Sequence, residues 1–192
     1  MIYLEQALFE MNQTMNISAE AANNKAQKIK LVIFDIDGVL TNGDLQFDNE
    51  GHEYKTFNSL DGHGIRMLLA SDIQVAIITG RQSELVSNRM NDLGVKLVFQ
   101  GCRDKRPAFQ TLLNQTQLKA EQVAYMGDDL PDLTVMTQVG LAVAVRNAHV
   151  FVKKNAHLVT DLSGGSGAVR EMTDFILRSQ GLLDELQASY LA

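Results

Sequence analysis

Five short apolar runs, each followed by a longer stretch of helical periodicity, constrain this chain more than any other feature. Lys30–Phe34, Ile73–Ile78, Val95–Phe99, Gln122–Met126 and Leu141–Val145 are candidate strands, with a weaker sixth near His157–Val159. Between and after them, Gly62–Ser71, Ser83–Leu93, Arg103–Gln115, Leu130–Gln138 and Gly167–Leu177 have the spacing of amphipathic helices. Strands that are apolar throughout, rather than at every second residue, belong to parallel sheets covered on both faces. The alternation predicts an α/β fold with a doubly wound, Rossmann-like parallel sheet. One section departs from it. Asp44–Phe57 alternates with period two around Asn49-Glu-Gly51, as expected of a β-hairpin inserted after the first strand. No stretch of several tens of residues remains for a separate cap domain.

With 192 residues, 45% of them apolar, the chain suits a single buried core. The expected division is an N-terminal extension over 1–28, a main domain over 29–181 and a tail over 182–192. Ser18 is placed to cap a short surface helix in the extension, behind a frayed terminus. A formal charge of −6, from 17 basic and 23 acidic residues, argues against nonspecific binding to DNA or to an anionic membrane. It leaves room for a phosphorylated small molecule, which needs only a local basic pocket. The single cysteine, Cys102, excludes an internal disulfide and a Cys-rich zinc site. No apolar run approaches the ~18 residues that span a bilayer, and no early basic cluster marks a signal peptide, so the cytoplasm is expected.

The chemistry lies where the strands end. Lys30–Phe34 runs into Asp35-Ile-Asp37-Gly38, two acids at a carboxyl edge, where open α/β sheets bind ligands. Paired anions there repel unless a cation neutralises them. A calcium loop fails on spacing, because its fifth, sixth and twelfth positions would be Val39, Leu40 and Gln46. Three later strand ends carry Thr79-Gly-Arg81, Lys105 just before a helix, and Asp128-Asp129. Each has a plainer reading alone: a solvated turn at Asp37-Gly38, an N-cap at Thr79, a surface lysine at Lys105, and helix N-terminal charge complementation at the acid pair. Together they supply carboxylates, a hydroxyl and an ammonium at successive carboxyl edges. Such groups could converge on a divalent cation and a phosphate, and oxygen-only ligands suit Mg²⁺ rather than zinc.

Asp35-Ile-Asp-Gly-Val-Leu-Thr41, Thr79, Lys105 and Gly127-Asp-Asp-Leu-Pro-Asp132 resemble the four motifs of the haloacid dehalogenase-like phosphatases. Phe57–Arg66, Ala76–Arg81 and Gly164–Glu171 resemble, within them, the subfamily that hydrolyses 3-deoxy-D-manno-octulosonate 8-phosphate in lipopolysaccharide precursor synthesis. The similarity runs from about Ser18 to Gly181. It implies a covalent aspartyl-phosphate on Asp35, with Asp37 as acid and base and with Thr79 and Lys105 on the phosphate. The implied Mg²⁺ ligands are Asp35, the Asp37 carbonyl and Asp128, with Asp129 orienting Lys105 or a metal-bound water. Asp37 marks phosphate-ester chemistry, because a departing halide needs no proton.

By the same resemblance an acidic sugar phosphate would contact Asp37, Asn58, Ser59, Leu60, Asp61, Gly62, Arg66, Arg81, Arg89 and Lys105. Two positions depart from the subfamily: Leu60 and Ser166 stand where basic residues are usual. They keep open a phosphatase for another sugar acid, such as a nonulosonate 9-phosphate. A third reading is a non-catalytic oligomeric binding module that kept the fold. The resemblance also implies a homotetramer. The apolar Leu45, Phe47, Tyr54 and Phe57 of the hairpin fit pairing between subunits that narrows each active-site mouth.

Overall fold

A computed structural model describes residues 16–191. The predicted frayed terminus, up to residue 15, lies outside these. The core is a six-stranded, all-parallel sheet of β1 (Leu31–Phe34), β4 (Gln74–Ile78), β5 (Leu97–Phe99), β6 (Val123–Gly127), β7 (Leu141–Ala144) and β8 (Leu158–Val159). Its order is β5-β4-β1-β6-β7-β8, so the chain builds outward from β1 on one side and then restarts on the other. The doubly wound expectation holds. All four residues of β1 are buried, as a central strand covered on both faces requires. Around it pack α1 (Ala19–Ala26), α2 (Ser59–Ala70), α3 (Glu84–Leu93), α4 (Arg106–Thr116), α5 (Leu133–Met136), α6 (Val150–Asn155), α7 (Ala168–Ser179) and α8 (Leu183–Ala188).

Local signals explain most boundaries. Ser18 accepts a hydrogen bond from the Ala21 amide at 3.2 Å and starts α1, whose Ala22 and Ala26 are buried rather than on the surface. Asn58 accepts from the Leu60 amide at 2.8 Å, so α2 begins ahead of the expected Gly62. The stretch predicted as a helix over Leu130–Gln138 splits at Pro131 into a 3₁₀ turn, Leu130–Asp132, and the short α5. Two helices were not foreseen. α6 fills the connection between β7 and β8, and α8 buries Leu183 within the expected tail. The inserted hairpin is present as antiparallel β2 (Gln46–Phe47) and β3 (Glu53–Tyr54). No helix among the described residues is long and apolar enough to cross a membrane.

Register decides what the strand ends present. Phe34 lies opposite Ile77 on β4 and Met126 on β6. Asp35 is therefore level with Ile78 and Gly127, one residue short of Thr79 and Asp128. The reversal of strand order at β1 opens a crevice at this edge, where α/β sheets bind ligands.

Candidate active site

The crevice is a cavity of about 370 Å³ lined by Asp35, Asp37, Thr79, Arg81, Lys105, Asp128 and Asp129, among others. These are the expected catalytic and metal residues plus one of the three expected sugar-reading arginines. The loop after β1 is tightly wound. The amides of Val39, Leu40 and Thr41 all donate to the Ile36 carbonyl, and Thr41 Oγ1 accepts from Gly38 N at 3.3 Å. Gly38 has φ +90°, and a side chain there would collide with the Asp128 carboxylate. That contact lets the β1 and β6 loops close on one another.

Lys105 is almost fully buried. Its ammonium donates to Asp132 at 2.6 Å and to the Tyr125 hydroxyl at 3.0 Å, and it lies 3.1 Å from Asp35 Oδ1. Burial works against its charge, but Asp35 and Asp132 outweigh that and push the ammonium above its ordinary range. Tyr125, fully buried, donates its hydroxyl to Asp132 at 2.7 Å. Asp132 also accepts from the amides of Asp128 at 2.9 Å and Asp129 at 3.1 Å. Asp132 therefore anchors Lys105, in the place expected of Asp129. Asp129 meets the cavity, but the lysine is already held.

Carboxylate crowding gives the site its electrostatic character. Asp35, Asp128 and Asp132 can each bring an oxygen within 4.8 Å of the others. Burial first, and then the Asp132 charge, push Asp35 up to about 6 despite Lys105. Burial, Asp132 and Asp35 push Asp128 up to about 8. Asp35 Oδ1 is buried without a hydrogen bond, because its contact with Lys105 lacks the right direction. Repelling carboxylates and an orphaned anionic oxygen, with no nitrogen or sulfur donor among them, fit a hard divalent cation.

Other expected contacts lie elsewhere. Asp61 is fully buried, and its carboxylate accepts from the amides of Gly167 at 3.3 Å and Arg170 at 2.9 Å. It caps α7 and is not free for a sugar. Asn58 caps α2 and donates to the Gly165 carbonyl at 3.4 Å. Gly62 makes room for Arg89, since a side chain there would strike the guanidinium. Arg89 bonds Asp92 at 2.8 Å, and Arg66, from α2, reaches the Asp92 carbonyl at 3.0 Å, so both arginines meet at Asp92 on α3, outside the cavity. Ser59 and Leu60 are exposed and do not line it. Of the three expected arginines only Arg81 reaches the site. Gly164 lies against the Gly38 carbonyl, so the glycine-rich segment supports the loop after β1.

Residues 97–172 match the haloacid dehalogenase-like hydrolase family. The chain is 49% identical over 166 residues to 3-deoxy-D-manno-octulosonate 8-phosphate phosphatase of Yersinia pestis, covering 86% of this chain and 89% of that one. It is 50% identical over 161 residues to the Escherichia coli K12 enzyme of that name, covering 84% and 86%. The Yersinia pestis crystal structure superposes with a TM-score of 0.85 over the same shares of the two chains. The corresponding Moraxella catarrhalis enzyme, in complex with magnesium, phosphate and KDO, superposes with a TM-score of 0.88 at 37% identity, covering 90% of this chain and 99% of that one. Likeness of this extent, on a crevice carrying all four motifs, makes the chain a phosphoric monoester hydrolase that belongs to the haloacid dehalogenase-like hydrolases, in the family of the 3-deoxy-D-manno-octulosonate 8-phosphate phosphatases.

Proposed function

We propose that the chain hydrolyses 3-deoxy-D-manno-octulosonate 8-phosphate to the free sugar acid and phosphate, with Mg²⁺, in the making of lipopolysaccharide precursors. The observation that carries this reading is the convergence of Asp35, Asp37, Thr79, Lys105 and Asp128 on one crevice. Asp35 attacks phosphorus in line, the sugar oxygen departs, and the aspartyl-phosphate formed is an acyl phosphate, a mixed anhydride labile enough to be cleaved by water in a second step. Asp37 protonates the departing sugar oxygen and then takes a proton from the water that attacks the phosphoenzyme. Lys105, fixed by Asp132, and Thr79 hold the phosphate oxygens. Asp35, the Asp37 carbonyl and Asp128 would hold magnesium, which supplies the charge neutralisation that lets an anionic nucleophile meet an anionic ester. Asp129 meets the same cavity and would orient a metal-bound water.

Arg81 at the mouth suits the sugar carboxylate. In this reading the exposed part of the Asn58–Arg66 segment, Ser59, Leu60 and Arg66, or the C-terminal tail, serves a neighbour's site in a cytoplasmic homotetramer, while Asp61 stays buried as the cap of α7. The exposed Phe47 and Tyr54 of the hairpin supply its contacts. The domain limits proposed are 29–181 for the phosphatase, with 1–28 and 182–192 as extension and tail. Leu60 and Ser166 stand where basic residues are usual and remove positive charge near the sugar site, which leaves a second reading, a phosphatase for another acidic sugar phosphate such as a nonulosonate 9-phosphate. A phosphate-release screen over sugar phosphates with and without a 2-keto acid separates them. The octulosonate ester should give the highest kcat/KM, abolished by chelation. Faster turnover of the nonulosonate ester would move the assignment, and no metal-dependent release from any ester would leave only a binding module.

A further inference from the structure

Along β3 and the residue after it, Tyr54 points to solvent with 55% exposure, while Glu53 and Lys55 face the other way, onto the site. The Lys55 side chain keeps only 3% exposure on a ribbon whose Phe47 and Tyr54 are open to water. An ammonium buried to that degree is costly unless it is paired. Its partners are the Asp37 carboxylate, to which it donates through Oδ1, and Glu53 at 3.4 Å. Glu53 accepts from Arg81 Nη2 at 2.7 Å, and Arg81 Nε lies 3.7 Å from Asp37 Oδ2. The four charges alternate in a closed ring that grips the Asp37 carboxylate from both sides. Lys105, by contrast, stands on Asp35 and Asp132.

The geometry points to Lys55 as the positioning residue for Asp37, delivered by the hairpin, a role that rests on the general-acid reading above. A carboxyl that must meet a departing oxygen in the transition state loses most of its value when its orientation wanders. Lys55 fixes one oxygen of Asp37 and thereby aims the other. The hairpin is then part of the catalytic apparatus as well as a cover over it.

The test is kcat/KM over phosphate esters ranging from p-nitrophenyl to simple alkyl, with magnesium present. It is run on wild type, Lys55→Met, Lys55→Arg, Asp37→Ala and the Asp37→Ala/Lys55→Met pair. This ratio reports the step in which the leaving group departs. Lys55→Met should lose at least about tenfold on alkyl esters and under about threefold on p-nitrophenyl phosphate, since general acids contribute ~10²–10⁴ where the leaving group needs a proton. Lys55→Arg should recover most of the loss and also serves if the Met variant folds poorly. In the Asp37→Ala background, Lys55→Met should add nothing. A uniform loss across the series, or losses that multiply in the pair, would show Lys55 binding phosphate or holding the fold, and would overturn the inference. If Asp37→Ala itself shows no leaving-group selectivity, the general-acid reading falls and takes the inference with it. A selective Asp37→Ala beside an unselective Lys55→Met removes the inference alone.

Discussion

Asp132→Asn is almost isosteric, yet the structure predicts a large effect. One carboxylate oxygen accepts from Lys105 and Tyr125, and the other accepts from the Asp128 and Asp129 amides. An asparagine has one acceptor oxygen. Turned toward Lys105 it aims its NH₂ at two backbone N–H donors, and turned toward the amides it aims the NH₂ at an ammonium and a phenol. Two donors lose their acceptor in either orientation: the part-buried Asp128 and Asp129 amides in the first, the buried Lys105 ammonium and Tyr125 hydroxyl in the second, although the hydroxyl can rotate. At about 1–3 kcal/mol for each unsatisfied group, the loss is about 2–6 kcal/mol. For a domain of this size that is a Tm lower by roughly 4–24 °C. The variant should also bind inorganic phosphate more weakly in the presence of Mg²⁺, because Lys105 is no longer held. Thermal melts with and without phosphate read both effects. A Tm within about 1 °C of wild type, with phosphate affinity unchanged, would refute the anchoring role and return Asp132 to ordinary helix-start chemistry.

Asp35→Asn should abolish turnover while the chain stays folded, since the amide cannot form an acyl phosphate; activity in a purified, folded sample would remove the covalent mechanism. The metal-free chain should lose stability as pH rises. Asp35 near 6 and Asp128 near 8 hold protons that the unfolded chain has already released above about pH 4, so unfolding gains from each step upward in that window. The Tm gain on adding Mg²⁺ should therefore grow from about pH 5 to about pH 8; a flat gain would show that these carboxylates are not the ligands. Phe47→Asp with Tyr54→Asp should give smaller particles by light scattering. A wild type that is already monomeric and fully active would end the shared-site proposal.

The strands and the acids at the crevice edge could be read from the sequence because their signals are local. An apolar run followed by Asp35-Ile-Asp37-Gly38 needs only parallel pairing of β1 to become a crevice edge. Asp132 was not legible as the anchor of Lys105. A third acid in Asp-Asp-Leu-Pro-Asp reads equally as a helix-start charge until the 3₁₀ turn folds it beneath the end of β6. Lys55, in an alternating ribbon, reads as solvated, and only docking of the hairpin on Asp37 buries it. Asp61-Gly62 carries a turn signature, but Asn58 starts the helix earlier and leaves Asp61 inside, capping α7. The six residues of α6 are too few for a helical period to emerge.

The glycine-rich segment against the loop after β1 has a consequence for how the crevice comes into being. Gly165 donates its amide to the Val39 carbonyl, and Gly164 packs on Gly38, far back along the chain. Asp128 approaches the same loop only once β6 has paired with β1. A chain still emerging from the ribosome can hold Asp35 and Asp37 for a long interval without the walls that aim them. Such non-local closure is slow relative to helix formation. A loop made among the first is then locked only when the segment before α7 closes back on it.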